Sequence, residues 1–176
     1  MMTRREFIKV AGAGVLAVSC AGILSGCDAI ESLQDMDFVS VTIGEVKFMV
    51  GSTSCTRNGE GHFKFGTDLL IRNKTKSELT IPASDITGTY YCKIEGEDKT
   101  YRMKYDHGDI EAPVTPSNEL PTEIGNFGLT TLGEVPANAV GQKVEFSIKY
   151  GGYKAIFAYS MTADDWILPP KKEKIE

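Results

Sequence analysis

The chain has 176 residues, a formal net charge of −5 and 41% hydrophobic residues. That is enough for one domain with a single core. No basic run with interleaved aromatics occurs along it, which argues against nucleic acid and anionic lipid headgroups as partners of an acidic domain, and its two histidines leave a Ser-His-Asp set little to draw on.

Thr3-Arg4-Arg5-Glu6-Phe7-Ile8-Lys9 precedes fifteen uncharged residues, Val10 to Leu24, and then Ser25-Gly26-Cys27. The paired arginines with Phe7 and Lys9 resemble a twin-arginine export signal, and Leu24-Ser25-Gly26-Cys27 resembles a lipobox. The resemblance implies a helical signal peptide over 1–26, acylation of Cys27 (palmitate among the acyl groups), and a lipoprotein held to the extracytoplasmic face of a bacterial cell membrane. The apolar run is short of the ~20 residues of a spanning helix. Residues 1–26 carry Arg4, Arg5, Lys9 and Glu6, a net +2, so their removal leaves −7. Residues 27–37, acidic and weakly hydrophobic, read as the lipidated N-terminus and its tether.

From residue 38 onward the apolar residues alternate with period two, the signature of half-buried strands. Val39, Val41 and Ile43 are followed by Val46, Phe48 and Val50, with the parity flipping at Gly44-Glu45; this predicts one bulged or sheet-switching strand over 38–50. A polar loop, 51–61, contains Cys55. Phe63, Phe65, Thr67, Leu69 and Ile71 share a face, and Asn73 to Ser77 is a turn before the short strand Leu79-Thr80-Ile81. Ile86, Tyr90, Cys92 and Ile94 then point inward on a strand that forms a hairpin with Tyr101, Met103 and Tyr105.

A further strand lies around Phe127 to Leu132, and Pro136 to Ala139 is a turn. Val144, Phe146, Ile148 and Tyr150 alternate up to Gly151-Gly152, a pair suited to a two-residue hairpin turn. That register sets Tyr150 opposite Tyr153, Ile148 opposite Ala155 and Phe146 opposite Phe157, and places Lys149 against Lys154 on the solvated face, with Ile156 the odd apolar member there. Seven to eight short strands in all predict an all-β fold, an antiparallel β-sandwich of immunoglobulin type over 38–165. Residues 166–176 read as a charged, disordered tail.

A lipobox, a polar tether, a strand running into an Asn-polar turn (LLIRNKTKSELTI) and a late glycine-bearing strand pair (GQKVEFSIKYGGYKAIFAY) resemble the bacterial surface lipoproteins that carry the immunoprotective extracellular, immunoglobulin-like domain. The resemblance covers residues 38–162. It implies a binding or structural module with no catalytic residues and no cofactor.

Cys20 leaves with the signal, so Cys55 and Cys92 are the thiols to explain. In an exported domain they are candidates for a disulfide, closing a loop of about 37 residues worth roughly 4 kcal/mol in the chain-entropy account; the alternative is two free thiols, Cys92 serving as a small buried hydrophobe. A Cys55/His62 pair lacks the electropositive surroundings of a reactive thiol, and His62 reads as structural. Polar residues gather outside the strand pattern from Asp106 to Glu123, a stretch with three prolines and no periodicity. Asp106, His107, Asp109 and Glu111 there offer oxygen and imidazole ligands, but at the spacing of no defined metal loop; a solvated acidic hairpin end is the competing account. Tyr91 alone among the tyrosines on these strands has outward parity and is a candidate for a partner-binding face. The expectation is a non-enzymatic, lipid-anchored module that binds an envelope protein or other surface ligand, with residues 106–123 as a replaceable loop; a metal-binding protein using 106–111 is the alternative.

Overall fold

The computed structural model describes residues 38–116 and 119–175. The expected export signal, Cys27 and the expected tether therefore lie outside the described residues. What is described is nearly all strand: β1 (Val39–Ile43), β2 (Val46–Arg57), β3 (Phe63–Asn73), β4 (Leu79–Ile81), β5 (Ile86–Ile94), β6 (Glu97–Tyr105), β7 (Ile110–Ala112), β8 (Thr122–Thr131), β9 (Val140–Tyr150), β10 (Tyr153–Ser160), β11 (Asp165–Trp166) and β12 (Lys171–Lys174). No helix among the described residues is long and apolar enough to cross a membrane.

All strand pairs are antiparallel, and the large sheet runs β1-β2-β3-β8-β6-β5-β9-β10, with β11 and β12 both on the outer edge of β10. The small sheet is β4 with β7. The all-β, antiparallel character expected from alternation is present, but the two layers are not separate sheets. β6 pairs with β5 along its length and with β8 through Met103 to Tyr105. That shared strand makes one continuous sheet, curled in a barrel-like manner around its core.

Local chemistry accounts for the hairpins. Gly44 has φ +59° and β1 pairs with β2 from Ile43↔Val46 outward. The parity flip at Gly44-Glu45 is thus a tight turn between two strands, not a bulge in one. Gly151 (φ +54°) and Gly152 (φ +77°) supply the left-handed pair of the β9–β10 turn, and the strands pair as Tyr150↔Tyr153, Ile148↔Ala155 and Phe146↔Phe157, the register read from the sequence. On β3, Phe63, Phe65, Thr67, Leu69 and Ile71 are all buried.

The core is aromatic where the halves of the sheet meet. Phe146 lies 5.1 Å from Phe127 and 5.3 Å from Phe157, ring centre to ring centre. Trp166 packs edge-on against Tyr159 at 5.4 Å, and its indole N–H donates to the Gly51 carbonyl at 2.8 Å. That bond joins the last-paired edge of the sheet to β2.

Within the stretch expected to be a disordered tail, residues 166–175 are ordered: Trp166 is buried, and Lys171 to Lys174 form an edge strand. The register explains why alternation failed to show it. Trp166 sits opposite Tyr159 and Lys171 opposite Ile156, so the four residues Ile167 to Pro170 face only Phe157 and Ala158. This wide bulge, which places two prolines off the ladder, lines a small cavity with Ile156 and Ala158. Ile156, the apolar residue on the polar side of the hairpin, is covered there.

The described part of 106–123, expected to be a replaceable loop, is likewise not free of secondary structure. β7 buries Ile110 and Ala112 while pairing with β4, and Thr115 is also buried. The strap is tied down by Asn73, which is fully buried: its Nδ2 donates to the carbonyls of Ala112 (3.0 Å) and Ser77 (2.9 Å), and its Oδ1 accepts from the Thr75 N–H (3.0 Å) and hydroxyl (2.7 Å). The turn after β3 and the strap after β7 thus share one amide.

Candidate functional site

The two cysteines are free thiols, Cys55 exposed on β2 and Cys92 buried on β5, so the disulfide expected as one option is not formed. The strands carrying them are separated in the sheet by β3, β8 and β6. Desolvation, with a smaller contribution from the Asp164 carboxylate, pushes the Cys55 thiol up to about 11. Cys92 is raised by burial, against the opposing pull of Arg57. Both are protonated at neutral pH, the reverse of what a nucleophilic thiol requires. His62 uses Nδ1 on the Thr131 carbonyl at 2.8 Å and is held between β3 and β8.

The acidic stretch does not converge. Asp106 Oδ2 accepts from the Thr130 hydroxyl at 2.6 Å, and Asp109 Oδ1 accepts from the Ala83 N–H at 2.8 Å. His107 stacks edge-on against Tyr105, and Glu111 stands exposed opposite Thr80 in the small sheet. Asp106 and Asp109 are fastening the strap, and no group of three or more His, Cys, Asp or Glu side chains suited to a metal ion occurs among the described residues.

Tyr91 leads to the more informative surface. It points outward from β5, with Lys143 Nζ 4.2 Å above its ring. The same face, built by β6, β5, β9, β10 and β12, collects the outward residues of each strand, because neighbouring strands in register present matching parity. Lys93, Lys143 and Lys149 there each have a carboxylate within 4 Å, from Asp98 (3.9 Å), Glu145 (3.0 Å) and Asp85 (3.8 Å) respectively. Arg102, Lys104, Lys154 and Lys171 have no ion pair among the described residues. With Glu173 on β12 and Asp165 on β11, opposite Ser160, seven cations meet five anions on this side of the sheet. The chain as a whole carries −5, and the acids it has in excess lie elsewhere. This concentration of positive charge is invisible along the sequence, where no two of the four unpaired cations are adjacent.

A trough of about 580 Å³ crosses the face, from Arg102 on β6 to Glu173 on β12. Thr87, Thr89 and Ser147 line its middle, the first and last of these joined by a hydroxyl–hydroxyl hydrogen bond of 3.1 Å. Leu132, 58% exposed beside Arg102, and Ile156 supply apolar surface at its two ends. Lys149 and Lys154 are direct cross-strand partners, a like-charge contact offset by Asp85, 3.8 Å from Lys149, and by Glu173, opposite Lys154 on β12.

No family model matches the chain. No curated protein matches it either. The X-ray structure of Northeast Structural Genomics Consortium target SoR45 is similar to 77% of this chain and 90% of its own, with 8% identity and a TM-score of 0.33, a likeness too distant to bear on function.

Proposed function

We propose that this protein is a non-enzymatic binding module of the bacterial envelope, exported through a twin-arginine signal, cleaved before Cys27 and held at the extracytoplasmic face of the membrane by acylation of that cysteine. The reading is supported at the N-terminus by Leu24-Ser25-Gly26-Cys27 and in the folded part by the basic face, whose exposed cations without an ion pair among the described residues, Arg102, Lys104 and Lys171, cost self-repulsion and do nothing for the core. The thiols are protonated and the acids of the strap are committed to hydrogen bonds, which leaves binding as the best-supported role. Its partner on this reading is an envelope protein or other surface ligand.

Kinship with immunoglobulin-like domains belongs to the same proposal. Its support is the wiring: β2-β3-β8 follows the order A-B-E, and β5-β9-β10 the order C-F-G, of that fold. β6 is then the strand that both layers share.

Metabolic labelling with a clickable palmitate analogue tests the anchor. Label and membrane association in the wild type, both lost in Cys27→Ala, support it. An unlabelled wild-type chain, or one recovered in the cytoplasm of fractionated cells, sinks it.

A further inference from the structure

We infer that the exposed apolar bulge Ile167-Leu168-Pro169-Pro170 seats against the lipid bilayer that holds the acyl chains of Cys27. The inference deepens the reading of the chain as a lipid-anchored module and rests on it. Six large hydrophobic side chains are exposed among the described residues, and only Ile167 (43%) and Leu168 (58%) are neighbours in sequence. With Pro169 and Pro170 they make an apolar run that stands off the ladder of β10. Prolines at a sheet edge block pairing with another strand, which accounts for Pro169 and Pro170 alone. The small cavity beside Ile156 and Ala158 takes in Ile167 and both prolines but not Leu168. Edge protection and packing therefore leave Leu168, and the outer part of Ile167, without a use.

The place of the bulge in the fold names its occupant. β1 lies beside β10 and β12, with Ile43 against the β9–β10 turn: a Cβ placed on Gly151 would stand 3.8 Å from the Ile43 side chain. The Val39 end of β1 therefore points along β10 away from that turn, toward Phe157 and Ala158, where the bulge lies. Phe38 packs directly over Gly51, in space that a side chain at 51 would need. The Gly51 carbonyl in turn accepts the Trp166 indole N–H, one residue before Ile167. The described chain thus begins on the same edge as the bulge. Cys27 is eleven residues before Phe38 in sequence, at most about 40 Å of extended chain, so a bilayer holding Cys27 meets this edge at high effective concentration. The neighbouring charges suit a shallow apolar contact. Asp164 Oδ1 accepts from the Tyr159 hydroxyl at 2.5 Å and Asp165 Oδ1 from the Trp166 N–H at 2.8 Å, which ties both acids to the fold. Lys171 and Lys172 follow the run directly, and their long stems let the ammonium groups stay among headgroups while the apolar residues go deeper. No anionic headgroup is required.

The test uses the full chain as isolated from membranes, reconstituted in phosphatidylcholine vesicles whose acyl chains are brominated or plain. A second tryptophan is placed by Leu168→Trp or by Leu120→Trp; Leu120 is 69% exposed and lies just before β8, three strands across the sheet from β1. Trp166 gives both chains the same background. The expected result is severalfold stronger quenching by bromine at position 168 than at 120, and loss of that difference when Ile167→Asp is added to the Leu168→Trp chain. Circular dichroism checks the fold, and the comparison of 168 with 120 stands without the Ile167→Asp chain. Equal quenching at the two positions, none at 168, or quenching at 168 that survives Ile167→Asp overturns the inference. So does emission at 168 that is blue-shifted but unquenched, which puts protein over the bulge in place of lipid. A chain that takes up palmitate but is unquenched at 168 fails here alone. An unlabelled chain still quenched at 168 loses the anchor and keeps the contact.

Discussion

Asn73 and Thr115 hold each other twice: the Asn73 N–H donates to the Thr115 hydroxyl at 3.1 Å, and the Thr115 N–H donates to the Asn73 carbonyl at 2.7 Å. The pair is 42 residues apart in sequence and fastens the strap after β7 to the end of β3. Both residues are buried, so the bonds are made where water cannot replace them.

Asn73→Ala should therefore destabilise the domain by about 2–3 kcal/mol, since the buried carbonyl of Ala112 loses its amide donor and the Asn73 side chain's bonds to Thr75 and Ser77 go with it. Thr115→Val should cost about 1–2 kcal/mol by leaving the Asn73 N–H unsatisfied, and Thr115→Ser much less. Urea midpoints at constant m-value give the comparison. Replacing 106–121 by a Gly-Ser linker should also lower the midpoint, because Ile110 and Ala112 leave the core; an unchanged midpoint would show the strap to be dispensable.

Trp166 is the only tryptophan, which makes the C-terminal edge directly observable. Trp166→Ala should cost about 3–5 kcal/mol, as for other large buried aromatics, and Trp166→Phe less, retaining most of the packing but not the bond to Gly51. In the wild type the emission should be blue-shifted and move to the red in a single transition with the far-ultraviolet signal. Deleting residues 171–176 alone should leave that emission in place while exposing the outer edge of β10, read as increased self-association by analytical ultracentrifugation.

Alkaline pH should weaken the fold. Cys55 is raised from 9.0 to about 11 and Tyr90 from 10.0 to about 12, in both cases chiefly by burial. The unfolded chain loses these protons first, so the stability they contribute is complete below pH 9 and falls as pH rises through 11 and 12. Melting temperature measured from pH 8 to 11 should decline, less steeply in Cys55→Ser. At pH 8, iodoacetamide should modify Cys55 more slowly than a free cysteine; modification at the free rate would contradict the raised thiol.

Divalent cations should leave the melting temperature unchanged. Asp106 and Asp109 point to Thr130 and Ala83 respectively, and binding an ion would require releasing both. A rise of several degrees with Ca²⁺, Mn²⁺ or Zn²⁺ would restore the acidic stretch as a metal site through mass action.

Some of this was legible before folding. The β9–β10 register follows from two independent local signals, a glycine pair with positive φ and inward alternation on both sides of it. The inward face of β3 and the inward Cys92 follow from period two alone. The C-terminal edge was not legible because the Leu168-Pro169-Pro170 bulge breaks the period just before a strand made only of charges. Nor was the strap, whose anchoring amide lies on another strand and whose own apolar residues are few. The sequence left the thiols open between a bridge and two free groups, and the structure has both free.

The sequence by itself determined that the part from residue 38 onward is antiparallel and built of strands, with a given inside and outside to each, because backbone geometry alternates side chains whatever the neighbours are. Which strands stand side by side was decided only by tertiary structure, and with it the gathering of scattered lysines and Arg102 onto one face. Electrostatic potential sums over distance in space, not along the chain, so a basic surface on an acidic protein comes into being only when the sheet closes.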